Sequence, residues 1–451
     1  MVIFMVALIL MIIFLTPIIF SLKYDLKKGD LLKPSRIVAA LHLVSIVPYL
    51  FLFSFNNELG SPLVRNHKSM GNLDITIAYY GLIQALCFIS ILLGLNSNAA
   101  KKIPKFFPYI GVKYTRRQLR LSFIMAGLIG GGAFFLFLSK IGGLNYLLNN
   151  LEYRTFIIAG NNYLTSLFSC LNIALAILIY SLKEKKTYTK LLFIIILCVA
   201  SILIFSSMGG RSSTIYLMFL ILLVVHYGVK RIRKIPRKAI FIAFLMIIYF
   251  IAIPIIRTPG AFEYYSKNIN QLEKDIRENY EIIFTQTSYV DHYLLILNYF
   301  DIDKLWLGAS YVDLLKAPIP SSLISNKPPV DDGVYLRTIA EGMDVRPSLP
   351  YKDLYKSSWP PETLGIMYMN FWIPGVIIGA YLLGVIYKTF YNYMVNSKYN
   401  IFSILIYSNI LFSFHLSNLR IVQTLSSIIL IFLFFILFYR IRFDPIYKFK
   451  E

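Results

Sequence analysis

Charge is scarce in this chain. Only 15% of its residues are Asp, Glu, Lys or Arg, against about 25% in a soluble globular protein. Cysteine is scarcer still. Cys87, Cys170 and Cys198 are the only three. Each sits inside an apolar run, which argues against a disulfide-built secreted domain and for simple packing. No phosphate-binding glycine loop, HExxH or Cys/His cluster occurs, and no serine has a GxSxG context. Those absences argue against a bound metal, an ATPase and a nucleophile-elbow hydrolase. The five histidines, at 42, 67, 226, 292 and 415, are scattered, and a lone membrane histidine is more often a packed helix contact than a ligand. No internal repeat or low-complexity tract is present.

What is present is apolar surface. The 451 residues are 57% hydrophobic and 16% aromatic, with a mean hydropathy of +0.64, which excludes disorder. A helix crosses a bilayer with about 20 apolar residues. Eleven segments qualify: 2–20, 37–55, 75–95, 121–139, 163–182, 191–206, 214–229, 239–256, 363–387, 401–415 and 421–439. The first has no basic n-region and no small-residue cleavage site, so it reads as a retained span. The expected fold is an all-α polytopic membrane protein in three parts. Residues 1–256 hold eight spans, 257–357 form one large loop, and 358–451 hold three spans and a short tail.

The formal charge of +22 would point a soluble protein toward nucleic acid. Here the positive-inside rule accounts for it. Of the 45 Lys and Arg residues, 28 fall in segments 21–36, 96–120, 183–190, 230–238, 388–399 and 440–451, which together carry +23. The other side carries −1, and eleven of its 17 basic residues lie in the long 257–357 loop, where the rule is weak. The expected orientation puts the N-terminus outside and the C-terminus in the cytoplasm. The basic runs 101–120 and 230–238 then anchor against anionic lipid, with no nucleic-acid partner.

A loop as long as 257–357 is usually functional. Its stretch 268–300 is charged early and apolar late, with helical spacing at Ile276, Tyr280, Ile283 and Phe284. That pattern predicts a helix on the membrane surface. Its Pro-, Ser-, Asp- and Lys-rich second half predicts irregular backbone.

Arginines at the outer ends of spans are the candidate binding groups. Arg211 follows Gly209 and Gly210 and opens a helix through Ser212, Ser213 and Thr214. A guanidinium beside free helix N–H groups makes an anion site. The plainer reading is a hairpin whose arginine snorkels to the interface. Arg154, Arg257 and Arg420 also cap spans on that side. Four such cations, where the rule disfavours them, point to an anionic ligand. With 33 Tyr and 35 Phe in the chain, a lipid-linked phosphate carrying a saccharide fits.

Three segments carry a resemblance. SMGGRSSTIYLMFLIL (207–222), APIPSSLISNKPP (317–329) and PPETLGIMYMNFWIPGVIIGAYLLG (360–384) resemble, in order and spacing, motifs of the bacterial O-antigen and capsular repeat-unit polymerases (Wzy type). The third is carried by Gly365, Tyr368, Asn370, Phe371, Gly375 and Gly379. The chain departs from that pattern at Ser321, Ile366 and Trp372, where the family has Arg, Glu and Gly. Glu362 lies one helical turn outward of Ile366 and stands in for the missing carboxylate if the helix already begins there. Gly375 and Gly379 also read as ordinary GxxxG helix packing.

The resemblance implies a GT-C-like helical bundle acting outside the plasma membrane without metal, cofactor or nucleotide sugar. The substrate would be a polyprenyl-pyrophosphate-linked oligosaccharide, with a chain-length regulator and a flippase as partners. Arginine suits the departing pyrophosphate. Arg211, Arg154, Arg257, Arg420 and Lys327 are the candidates for it. Asp291, His292, Glu341 and Glu362 are candidates for the base, and Gly209, Gly210, Pro328, Tyr368 and Asn370 for the substrate groove. Three other readings stay open: a lipid-glycan ligase, a GT-C transferase using polyprenyl-phosphate sugars, and a non-enzymatic flippase. The second usually shows an acidic pair in the first outer loop, where only isolated Glu58 and Asp74 occur. A flippase needs charge in a central cavity and two related halves.

Overall fold

Among the described residues, nine helices are long and apolar enough to cross a bilayer. The structure is a computed structural model. It describes the chain except residues 26–29, 114, 151–156, 158–160, 185, 209–210, 233–247, 250–251, 253–254, 256–259, 279–280, 282–283, 286–287, 320–322, 325 and 445–451. Seven of the nine precede the long loop: α1 (Val2–Asp25), α2 (Pro34–Phe55), α3 (Leu73–Asn96), α4 (Arg117–Ile141), α5 (Tyr163–Lys183), α6 (Tyr188–Ser207) and α7 (Ser212–Val229). Local chemistry starts several of them. Pro34 opens α2, the Asn72 side chain accepts the Asp74 and Ile75 amides to cap α3, and Thr115 and Gln118 form a capping box before α4.

The loop contributes α8 (Ala261–Lys267), α9 (Ile269–Glu278), α10 (Val290–Tyr299), α11 (Ala309–Lys316) and α12 (Asp332–Ala340). The last part adds α13 (Glu362–Asn396), α14 (Ile401–Ser413) and α15 (Asn418–Phe438). Helix α14 is apolar, but its 13 residues rise only about 20 Å, short of the bilayer core. The expected span 239–256 lies outside the described residues apart from isolated positions. Ten of the eleven expected spans therefore have a counterpart among the described residues, nine as long helices and one as the short α14.

Two expectations about the loop are corrected. Residues 268–300 do not form one surface helix. Only α9 is exposed, while α10 buries Val290, Leu294, Leu295 and Ile296 against α3 and α13. The second half is not wholly irregular either, since α11 and α12 lie in it. Both are short helices held by long-range side-chain bonds, which leave little trace in local composition.

Helix α13 is broken at Trp372 (φ 55°, ψ −150°), two residues before Pro374. Proline has no N–H for the Asn370 carbonyl. That carbonyl accepts the Leu307 amide at 3.1 Å, and the Met369 carbonyl accepts the Trp306 amide at 2.9 Å. The two halves of α13 then pack on each other. A Cβ on Gly375 would lie 2.6 Å from the Met367 carbonyl, and one on Gly379 would collide with the Met367 side chain. These glycines serve the helix's own bend, whereas GxxxG packing on another helix was expected. That second kind of approach occurs at Gly94 and Gly384, each of which faces a backbone carbonyl of the other helix.

The described parts of the basic segments gather at one end. Strands β1 (Tyr109–Lys113) and β2 (Arg440–Asp444) pair antiparallel there. Asn400 donates to the Ile110 carbonyl, Asn392 to that of Ala100 and Tyr180 to that of Tyr399. Asp30 binds Arg231 and Tyr391. The opposite end holds the 56–74 connection, the loop helices and the 414–418 turn. Ser61 donates to Asp291, the His67 ring meets the Ile339 carbonyl, and Asn418 donates to Asp332.

Candidate functional site

At the loop end, two prolines lead into α13 and the first helical residue is Glu362, held at φ 48°. That left-handed backbone costs a non-glycine residue about 1–2 kcal/mol and persists only when surrounding contacts impose it. The Glu362 side chain is buried. Its Oε1 receives Arg420 Nη2 at 3.3 Å, and its Oε2 lies 3.3 Å from His415 Nε2. Oε2 has no hydrogen-bond partner among the described residues. Arg420 sits in the first turn of α15, where the helix dipole disfavours a cation. The carboxylate offsets that cost.

The turn carrying His415 is tied down on every side. The Leu416 amide donates to Thr363 Oγ1 at 3.2 Å, Tyr311 OH to the Leu416 carbonyl at 2.8 Å and Tyr387 OH to the Phe414 carbonyl at 2.9 Å. The Asn418 amide donates to Asp332 Oδ2 at 2.8 Å, and its Nδ2 to the Ser310 carbonyl at 2.6 Å. Burial pushes Asp332 up to about 7, against the Asn418 amide and with the help of the Asp331 charge.

A stacked ladder runs up to the same glutamate. The His292 ring lies on Trp359 (4.7 Å between centroids, 14° between planes). Arg337 sits over Trp359 at 5.0 Å and over Tyr355 at 4.8 Å, and pairs with Glu341 at 2.5 Å. His292 Nδ1 donates to the Pro360 carbonyl at 3.2 Å, which assigns the free acceptor to Nε2. Burial lowers His292 to about 4, and its charge couples to that of Glu362. A neutral imidazole of that basicity orients and accepts hydrogen bonds, but it is a weak base at neutral pH.

The remaining sequence candidates divide. Glu362 and Arg420 are brought together, and His292 stands beside them. Asp291 is tied elsewhere, accepting Tyr49 OH at 2.5 Å and the Ser61 amide at 2.9 Å, while burial raises its carboxyl. Glu341 is spent on Arg337. Lys327 donates to the carbonyls of Ala317 and Ile319 at 3.0 and 2.6 Å, so it closes the end of α11. Pro328, next to it, is buried. Tyr368 bonds Tyr79 and Trp372, and Asn370 bonds Gly308, Ser310 and the Ile366 carbonyl. Both are buried and pin the broken helix. Arg154, Arg257, Gly209 and Gly210 lie outside the described residues, as does the Arg211 side chain. The Arg211 backbone does begin a helix.

His415, Arg337 and Trp359 were missed from sequence. The available signal was the His–Arg pair in HLSNLR (415–420), where only the arginine was singled out. Among the described residues no group of three or more His, Cys, Asp or Glu side chains is placed to hold a metal ion. Chemically, the arrangement offers a buried carboxylate whose Oε2 faces an imidazole without a hydrogen bond, that partly exposed imidazole, and a guanidinium with donors to spare. No family model, curated protein or solved structure matches this chain.

Proposed function

We propose that the chain is a membrane glycosyltransferase that joins polyprenyl-pyrophosphate-linked oligosaccharide repeat units on the outer face of a bacterial plasma membrane. The observation that carries this reading is the Glu362–His415–Arg420 cluster at the loop end of the bundle. Charge supplies the orientation, since 28 of the 45 basic residues fall in the six segments that alternate along the sequence with the outer connections. Those segments face the cytoplasm by the positive-inside rule.

In this reading a sugar hydroxyl of the incoming lipid-linked unit attacks the anomeric carbon of the growing glycan. The new glycosidic C–O bond forms as the bond to pyrophosphate breaks, and polyprenyl pyrophosphate departs. Glu362 takes the hydroxyl proton through Oε2, the oxygen that makes no hydrogen bond among the described residues. Arg420, with Arg211 as the second cation, stabilises the charge on the leaving pyrophosphate. His415 orients the carboxylate. A chain-length regulator and a flippase are the expected partners.

Deleting the gene and resolving the surface glycan on a gel tests the reading. A polymerase loss leaves single repeat units attached. Complete loss of attached glycan would assign the chain to ligation, and an unchanged ladder would remove it from assembly.

A further inference from the structure

Helix α11 (Ala309–Lys316) has its polarity inside out. Ser310 and Asp313 are 1% and 2% exposed, while Val312 and Leu315 are 54% and 78% exposed. Leu307, Ile319 and Leu323 around it are also exposed. A helix facing water turns its polar residues outward.

The backbone of this segment is satisfied by the protein at both ends. The Trp306 and Leu307 amides go to carbonyls freed by the break in α13, and the Gly308 amide goes to Asn370 Oδ1 at 3.0 Å. At the far end Lys327 bonds the Ala317 and Ile319 carbonyls. The buried Asp313 is used up by the Ser348 amide and hydroxyl and by Lys316. Non-helical backbone survives at membrane depth where protein, or a water-filled cavity, supplies its hydrogen bonds, and here protein supplies them. A water-facing loop has no need of these long-range partners.

We infer that residues 305–319 form a re-entrant element immersed in the bilayer, with Leu307, Val312 and Leu315 against lipid acyl chains and the polar face sealed onto α13 and α15. This stands whether or not the chain is a polymerase. It also places lipid beside the candidate site, because Tyr311 and Ser310 bond the turn that carries His415 and Arg420.

The test is fluorescence quenching in the full-length protein reconstituted in phosphatidylcholine vesicles. A polarity-sensitive dye is attached at Leu315→Cys, at Val312→Cys and, as an exposed reference, at Asp353→Cys. Signal from the native cysteines is subtracted using the parent protein. The expected result is blue-shifted emission at 312 and 315, lost to nitroxide-bearing lipid and resistant to aqueous iodide, with the reverse at 353. Iodide quenching at either 312 or 315 equal to that at 353 would overturn the inference, since both residues occupy one outward face.

Discussion

Two buried carboxylates sit at opposite ends of this protein, and their surroundings differ in kind. Asp30, at the basic end, is saturated. Its oxygens accept Tyr391 OH at 2.6 Å, Tyr227 OH at 3.1 and 3.3 Å, His226 Nε2 at 3.2 Å and the Leu32 amide at 3.1 Å, and Arg231 lies 3.3 Å away. His226 Nδ1 accepts the Ile232 amide, which leaves the Nε2 proton for Asp30. A π-helical stretch, Val224–Val229, sets His226 and Tyr227 side by side. Arg231 is in turn stacked on Tyr227 and Tyr399. Burial works to raise the Asp30 carboxyl, but its hydrogen bonds and the charge of Arg231 outweigh that and hold it well below the usual carboxylate range. Glu362 has one hydrogen-bonded oxygen, one that faces His415 at 3.3 Å without a hydrogen bond, and a strained backbone. The saturated site reads as a clamp joining three connections of the bundle. The unsaturated site keeps capacity for a ligand, at a cost to stability.

Breaking the clamp should have the largest effect on the fold. Asp30→Ala removes the carboxylate that pairs with Arg231 and His226 and accepts the Tyr391 hydroxyl, while Tyr227 keeps the Leu32 carbonyl. Removing one partner of a buried pair costs about 3–5 kcal/mol. The expected outcome is loss of protein from the membrane and a lowered unfolding temperature in detergent.

Next comes Arg420. Losing a transition-state donor of this kind costs about 2.7–4 kcal/mol, or roughly a hundred- to thousandfold in rate. Arg420→Gln should abolish visible polymer at near-normal protein level, and Arg420→Lys should recover little, because a point charge does not reproduce the guanidinium fork. Normal polymer from Arg420→Lys would assign the anion role to Arg211 alone.

A pH-dependent effect, invisible at acid pH, separates structure from chemistry within the loop end. Asp332 has its folded pKa raised from 3.8 to about 7, so the folded state binds its proton more tightly. Its contribution to stability is complete below about 4 and is lost as pH rises toward 7. Asp332→Asn should flatten the fall in unfolding temperature across that window. An unchanged slope would show that Asp332 titrates normally.

Much of the bundle was legible in the sequence because a membrane helix needs only a local apolar run. The expected span 75–95 is found as Leu73–Asn96, and 191–206 as Tyr188–Ser207. The described parts of the basic segments meet through pairs such as Asp30 with Arg231 and Asn392 with Ala100. What stayed hidden depends on distant partners. Glu362 and His415 meet across more than fifty positions, so His415 looked like one more packing histidine. Helix α11 was hidden in a stretch whose Ser and Asp residues suggest a loop, because there they point inward. Gly375 and Gly379 looked like a surface for another helix until the break at Trp372 folded α13 onto itself.

The most direct measurement sets Glu362→Gln beside Asp30→Asn in cells, scoring membrane protein level by blot and surface glycan by gel. Both changes remove one charge and keep the shape. The account predicts that Glu362→Gln stays at wild-type level in the membrane with only single repeat units displayed, while Asp30→Asn loses protein and polymer together. Full-length polymer from Glu362→Gln at normal protein level would contradict it.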